Sequence, residues 1–146
     1  MITNEHLISK EDLRKMQLIE LKVLKEVKRI CEKNSIPYFL IAGSLIGTVR
    51  HKGFIPWDDN IDIGMLRSDY ERFLEACKTD LGQEYFLQTP ATEKGNADYG
   101  IAHVRLNGTS MIQAYRKNTV THNGFTIESC YNRHRCISLD FGKYDF

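Results

Sequence analysis

The chain has little of what marks a specialised surface or compartment. Its 146 residues carry 20 Lys and Arg against 19 Asp and Glu, so the formal net charge of +1 gives overall charge no grip on nucleic acid or an anionic membrane. No apolar run approaches the roughly 20 residues that a transmembrane helix needs, and Met1 to His6 lack the basic-then-apolar order of a secretory leader. The expected compartment is the cytoplasm, with at most a peripheral place at the inner face of a membrane. None of the four cysteines forms a Cys-x-x-Cys pair, which removes zinc ribbons and dithiol redox motifs. Cys31 and Cys77 fall on apolar helical positions and read as buried thiols. Cys130, His134 and Cys136 lie close in sequence but have no fourth ligand at a recognised zinc spacing. Internal repeats and low-complexity segments are also missing. The length is that of one domain with its own hydrophobic core.

What is present is a sequence of well-marked elements. Ser9 followed by Asp12 reads as a helix N-cap, and Leu13, Met16, Val23, Leu24, Val27, Ile30 and Cys31 recur at helical spacing up to about Glu32. Asn34-Ser35 breaks that helix. The apolar run 36–42 is short enough for a buried strand, and Leu45 to Arg50 reads as a short helix opening at Gly43-Ser44. A strand with its approach loop is expected over 54–65, an amphipathic helix capped by Ser68 over 68–79, and strands and loops beyond, with a turn at 94–98. The order αβαβαβββ predicts an α/β (α+β) domain with helices on a mixed sheet.

Chemistry concentrates between residues 43 and 62. Gly43 lets backbone approach a phosphate, and Ser44 offers a hydroxyl beside the free amides of a helix start. Downstream, Asp58-Asp59-Asn60-Ile61-Asp62 runs into an apolar strand. If the cluster is extended, alternation sets 58, 60 and 62 on one side, with positions two apart separated by roughly 6–7 Å, a spacing suited to oxygen ligands of a hard divalent ion. Asp62 is then the leading metal ligand, Asn60 its uncharged partner, and Asp58 too far away to help. Between the two motifs Arg50, His51 and Lys52 form a compact basic group able to neutralise a diphosphate.

From Ala42-Gly43-Ser44 through Gly53-Phe54-Ile55-Pro56-Trp57-Asp58-Asp59 to Ile61-Asp62-Ile63-Gly64, the chain resembles the LicD family. These are phosphocholine transferases of the nucleotidyltransferase superfamily, related to fukutin and the fukutin-related protein. The family usually reads Asp-Asp-Asp-Ile-Asp where this chain has Asn60 in third place. Ile101 to Thr109 is similar to a family Ala-Lys-Ile-Arg-x-Asn-Gly-Thr segment, with His103 for the Lys and Arg105 for the Arg. Gly124 to Glu128 is similar to a Gly-Ile-Phe-Ile-Asp segment. The likeness covers residues 15–128 and stops there, and family members typically continue further, so it implies a chain truncated at its C-terminus with an unmatched tail.

The resemblance implies a nucleotidyltransferase-like mixed sheet, Mg²⁺ or Mn²⁺ on Asn60, Asp62 and Glu128, and Glu128 as general base on the acceptor hydroxyl; Asp140, in the unmatched tail, is a rival third acid on the residues alone. It implies that Gly43, Ser44, Arg50, His51, Lys52 and Arg105 bind a CDP-linked donor such as CDP-choline. The product is then a phosphocholine or polyol phosphate ester on a cell-surface glycan of the lipopolysaccharide or teichoic acid type. A second reading stays open: an inactive or truncated nucleotide- or glycan-binding module, since Asn60 removes a charge from the metal site.

Overall fold

The computed structural model describes residues 8–93, 101–111 and 121–132, and of Glu128 and residues 130–132 the backbone alone. The element order is α1 (Lys10–Lys33), β1 (Phe39–Leu40), α2 (Ala42–His51), β2 (Asp62–Leu66), α3 (Arg67–Asp80), β3 (Tyr85–Gln88), β4 (Ile101–Leu106) and β5 (Thr126–Asn132). The expected order of helices and strands is therefore observed. The strands form one sheet in the order β1-β2-β5-β4-β3. Its β2–β5 pair is parallel and its other pairs are antiparallel, so the sheet is mixed as expected.

α1 starts where its sequence says it should. The Ser9 hydroxyl accepts the Asp12 N–H at 3.0 Å and donates to the Asp12 carboxylate at 2.7 Å, satisfying one of the free amides of the first turn. The apolar stripe then lays Val23, Val27, Ile30 and Cys31 against the sheet, whose Ile63, Met65, Ala102, Val104 and Ile127 point the same way, with Phe73 of α3 closing the layer. Each fully buried aliphatic or aromatic side chain here contributes about 1.5–3 kcal/mol. Cys31 and Cys77 belong to this core, and burial pushes both thiols up to about 12, so they are packing residues.

Three local expectations need correction. The run 36–42 pairs only at Phe39–Leu40, because Ala42 turns the chain with φ of +48° and opens α2 at once. The strand expected over 54–65 begins only at Asp62. Pro56 sets a turn in which the Asp58 N–H donates to the Ile55 carbonyl at 2.9 Å, leaving 58–61 as irregular chain. Ser68 is not a cap: α3 follows β2 without a linker, its N-cap is Leu66, and position 68 already lies in the first turn. The turn expected at 94–98 lies outside the described residues.

Candidate active site

The start of β2 is clamped to the start of α2. The Ser44 hydroxyl accepts the backbone N–H of Asp62 at 2.9 Å, and the Ile41 N–H donates to the Asp62 carbonyl at 3.1 Å. The Gly-Ser turn and the acidic segment, eighteen positions apart, thus meet at one place. Ala42, immediately before the turn, keeps a left-handed backbone that costs a non-glycine residue about 1 kcal/mol.

Around that clamp the oxygen donors converge. The Asn60 amide donates to both oxygens of the Asp62 carboxylate, each at 3.1 Å. Asp58 also approaches, contrary to the extended-strand expectation, because the turn at Pro56 folds 58–61 back toward α2. Its carboxylate lies so close to Gly43 that a Cβ there would sit 2.6 Å from Oδ2. Burial raises the Asp62 carboxyl above its ordinary value, the Asn60 amide opposes the shift, and the Asp58 charge adds to it. Asp58 is raised in turn by burial and by Asp59. Two carboxylates held near each other against their own solvation form a cation-seeking place. These are hard oxygen donors that fit a divalent ion of the Mg²⁺ class, although among the described side chains no third His, Cys, Asp or Glu joins them.

The parallel register sets Glu128 level with Asp62 on the neighbouring strand. His103 of β4 is level with Glu128, and Gln88 of β3 with His103, so one row across the sheet reads Asp62, Glu128, His103, Gln88. The side chain of Glu128 lies outside the description, as do Cys130's side chain, His134, Cys136 and Asp140. Arg105 is in the row beside: it is 5 % exposed and donates to the Gln88 side-chain oxygen at 2.6 Å and the Gly124 carbonyl at 2.7 Å. Its guanidinium ties β3 to the strand entering β5.

Arg50, His51 and Lys52 occupy the opposite end of α2 from Gly43-Ser44, about 12 Å along the axis at 1.5 Å per residue. At a helix C-terminus the Arg50 and Lys52 charges also complement the macrodipole. Lys52 adopts φ of +54° at the C-cap, a position where glycine is usual. His51 meets the exposed Trp57 edge-on, ring centroids 6.4 Å apart.

One positioning residue is invisible to motif reading. Gln17 of α1, 5 % exposed, donates to the Asp58 carbonyl at 2.9 Å and so anchors the acidic segment from the far side. The usable signal was a polar position on the face that continues through the likewise polar Glu20 to Leu24 and Val27. A cavity of about 520 Å³ lies beside this anchor, between α1, α2 and the loop from Lys52 to Ile61, and it shares Ser44 with the clamp.

A serine clamp at a helix start, an acid at the head of the next strand and a further acidic position level with it on a parallel neighbour form the arrangement expected of a nucleotidyltransferase fold. Residues 35–136 match the family model described as LicD/FKTN/FKRP, nucleotidyltransferase domain, and the chain belongs to that family of phosphotransferases. It is 43 % identical over 82 residues to the lipopolysaccharide cholinephosphotransferase LicD of Haemophilus influenzae, covering 56 % of this chain and 31 % of that protein. It is 38 % identical over 53 residues to the human ribitol 5-phosphate transferase FKRP, covering 34 % of this chain and 11 % of that protein. The chain therefore spans less than a third of the length of either relative. Among the described residues no helix is long and apolar enough to cross a membrane.

Proposed function

We propose that this chain carries the donor-binding half of a metal-dependent transferase, which moves phosphocholine, or a related polyol phosphate, from a CDP-linked donor to a hydroxyl of a cell-surface glycan. The observation that carries the reading is the Ser44–Asp62 clamp, which brings a phosphate-binding turn and an acidic strand head to one point. Phosphoryl transfer depends mainly on positioning and charge neutralisation. Gly43 and Ser44 bind the donor's phosphates through the first turn of α2, Asp62 with Asp58 and Asn60 holds Mg²⁺ or Mn²⁺, and Glu128 takes the proton of the acceptor hydroxyl. The metal, when bound, offsets the negative charge of the transferring group. The proposed acceptor is a lipopolysaccharide- or teichoic-acid-type glycan, and the proposed place of action is the cytoplasm.

One observation favours a silent module. The Asn60 amide occupies both oxygens of Asp62, standing where a cation would stand, and must turn away before Asp62 can bind one. Calorimetric titration of Mn²⁺ with CDP-choline, on this chain and on Asn60→Asp, decides between the two. Mn²⁺-dependent donor binding by both supports the transferase, binding by Asn60→Asp alone supports the silent module, and binding by neither overturns the proposed donor site.

A further inference from the structure

The cavity beside Gln17 has a distinctive wall. Leu21, Leu24, Leu40, Phe54, Pro56 and Ile61 make it largely aliphatic. Arg14, His51 and Lys52 stand at its edge, all exposed, and no carboxylate contributes to the lining among the described residues. On α1, Lys15, Lys22, Lys28, Arg29 and Lys33 each face a carboxylate within 4.0 Å, whereas Arg14, like Lys10 and Lys25, has no ion pair among the described residues and donates to the neutral Gln17 side chain at 3.1 Å. Neither His51 nor Lys52 has an acidic partner among the described residues, and Lys52 keeps a left-handed backbone in being placed there.

We propose that this cavity binds an amphipathic anion, a phosphate head on an aliphatic body. Two positive side chains, Arg14 and Lys52, at one mouth whose lining holds no carboxylate attract an anion, and about 520 Å³ of mainly apolar space suits a ligand of moderate size. The aromatic rings of the lining are Phe54 and, at its edge, His51, which packs on Trp57 and not on Phe54; with no pair of facing rings to sandwich a base, the body is a flexible chain rather than a nucleobase. The ligand also reaches the acidic segment. Two wall residues, Gln17 and Ser44, hold the backbone of Asp58 and Asp62, so occupancy of the cavity steadies the loop that carries the carboxylates. The cavity borders the donor site proposed above, with Ser44 common to both, and the inference stands on the cavity's own lining.

The test is calorimetric titration of the full chain with decyl phosphate below its micelle concentration, beside inorganic phosphate, decanol and cytidine monophosphate. Decyl phosphate is expected to bind at one site at least tenfold tighter than any of the other three. The Arg14→Gln, Lys52→Gln double variant, altered at exposed positions and checked for an unchanged melting temperature, is expected to weaken that binding about tenfold, in line with two partly exposed ionic contacts. Leu21→Trp, which fills the apolar end, is expected to abolish it. Equal binding of decanol, equal binding of cytidine monophosphate, or an affinity indifferent to both the charge and the filling variants would each overturn the proposal.

Discussion

Two glycines four residues apart in α2 should respond in opposite ways to the same substitution. In a helix interior Ala is favoured over Gly by about 0.8–1 kcal/mol, so without further contacts Gly43→Ala and Gly47→Ala both stabilise. A Cβ at position 47, however, would lie 2.5 Å from the Gly53 carbonyl oxygen and 2.9 Å from the Ile55 amide nitrogen, both of them backbone. Relieving that overlap means moving the 53–55 loop, a cost of about 1–3 kcal/mol for overpacking, and it breaks the Gly53 N–H to Gly47 carbonyl bond. Gly47→Ala is therefore expected to be destabilised by about 1–2 kcal/mol net, a fall in melting temperature of several degrees for a domain of this size. At position 43 the new methyl meets only the end of the Asp58 side chain, which can rotate away. Gly43→Ala should keep its stability or gain up to about 1 kcal/mol, while losing divalent-metal affinity because Asp58 is displaced. Urea denaturation followed by circular dichroism, with Mn²⁺ titration of each variant, measures both quantities. A Gly47→Ala protein as stable as Gly43→Ala would refute the close approach of α2 to its return loop. Unchanged metal affinity in Gly43→Ala would remove Asp58 from the site.

Asn60→Asp should lower the stability of the metal-free protein by about 1–3 kcal/mol, since it exchanges two hydrogen bonds to a carboxylate for a like charge; Mn²⁺ should restore the loss and bind more tightly, whereas Asp62→Ala should abolish binding. Lys52→Gly should raise stability by about 1 kcal/mol by releasing the left-handed backbone, measured as a higher urea midpoint, and weaken decyl phosphate binding. His122 accepts the Gly124 N–H on Nδ1, pairs with Asn107 through Nε2 and stacks on Phe86 at 5.0 Å, an arrangement of the neutral ring. Burial lowers its proton affinity in the fold, and the Arg105 charge lowers it further. The unfolded chain therefore takes up this proton first: the contribution is intact above the ordinary value of 6.5 and is lost as pH falls through and below it. Chemical denaturation from pH 8 to pH 5 should show that slope in the parent chain and a flatter one in His122→Gln, and equal slopes would refute the neutral-ring assignment.

The sequence is most readable where one physical rule acts alone. The Ser9 cap, the α1 stripe and the order of elements follow from local capping and periodicity, and each is observed. The meeting of Ser44 with Asp62 was legible because a turn dipeptide and an acidic strand head are both short, marked signals joined by a short helix. The premise used for Asp58 failed for the opposite reason. Alternation holds only inside a paired strand, and the turn at Pro56 keeps the chain unpaired until Asp62, so a spacing rule was applied where no ladder enforces it. Gln17 escaped because its role depends on a partner forty-one positions away, and one polar residue on an apolar stripe does not say what it touches. Arg105 has two acceptors on neighbouring segments, the Gln88 side chain and the Gly124 carbonyl, and both lie too far along the chain for the sequence to announce them.

The strand order has a temporal side. β1-β2 and β4-β3 are two small ladders with no edge in common; β5, the last strand along the described chain, sits between them and pairs with both. Neither ladder alone contains both acidic positions. Bringing residue 128 beside residue 62 closes a long loop, at an entropic cost of roughly 4 kcal/mol that only the completed sheet can offset. During synthesis the earlier strands wait as open-edged pieces until residues 126–132 emerge, and the row from Asp62 to Gln88 comes into being in the same step that fuses the two halves into one sheet.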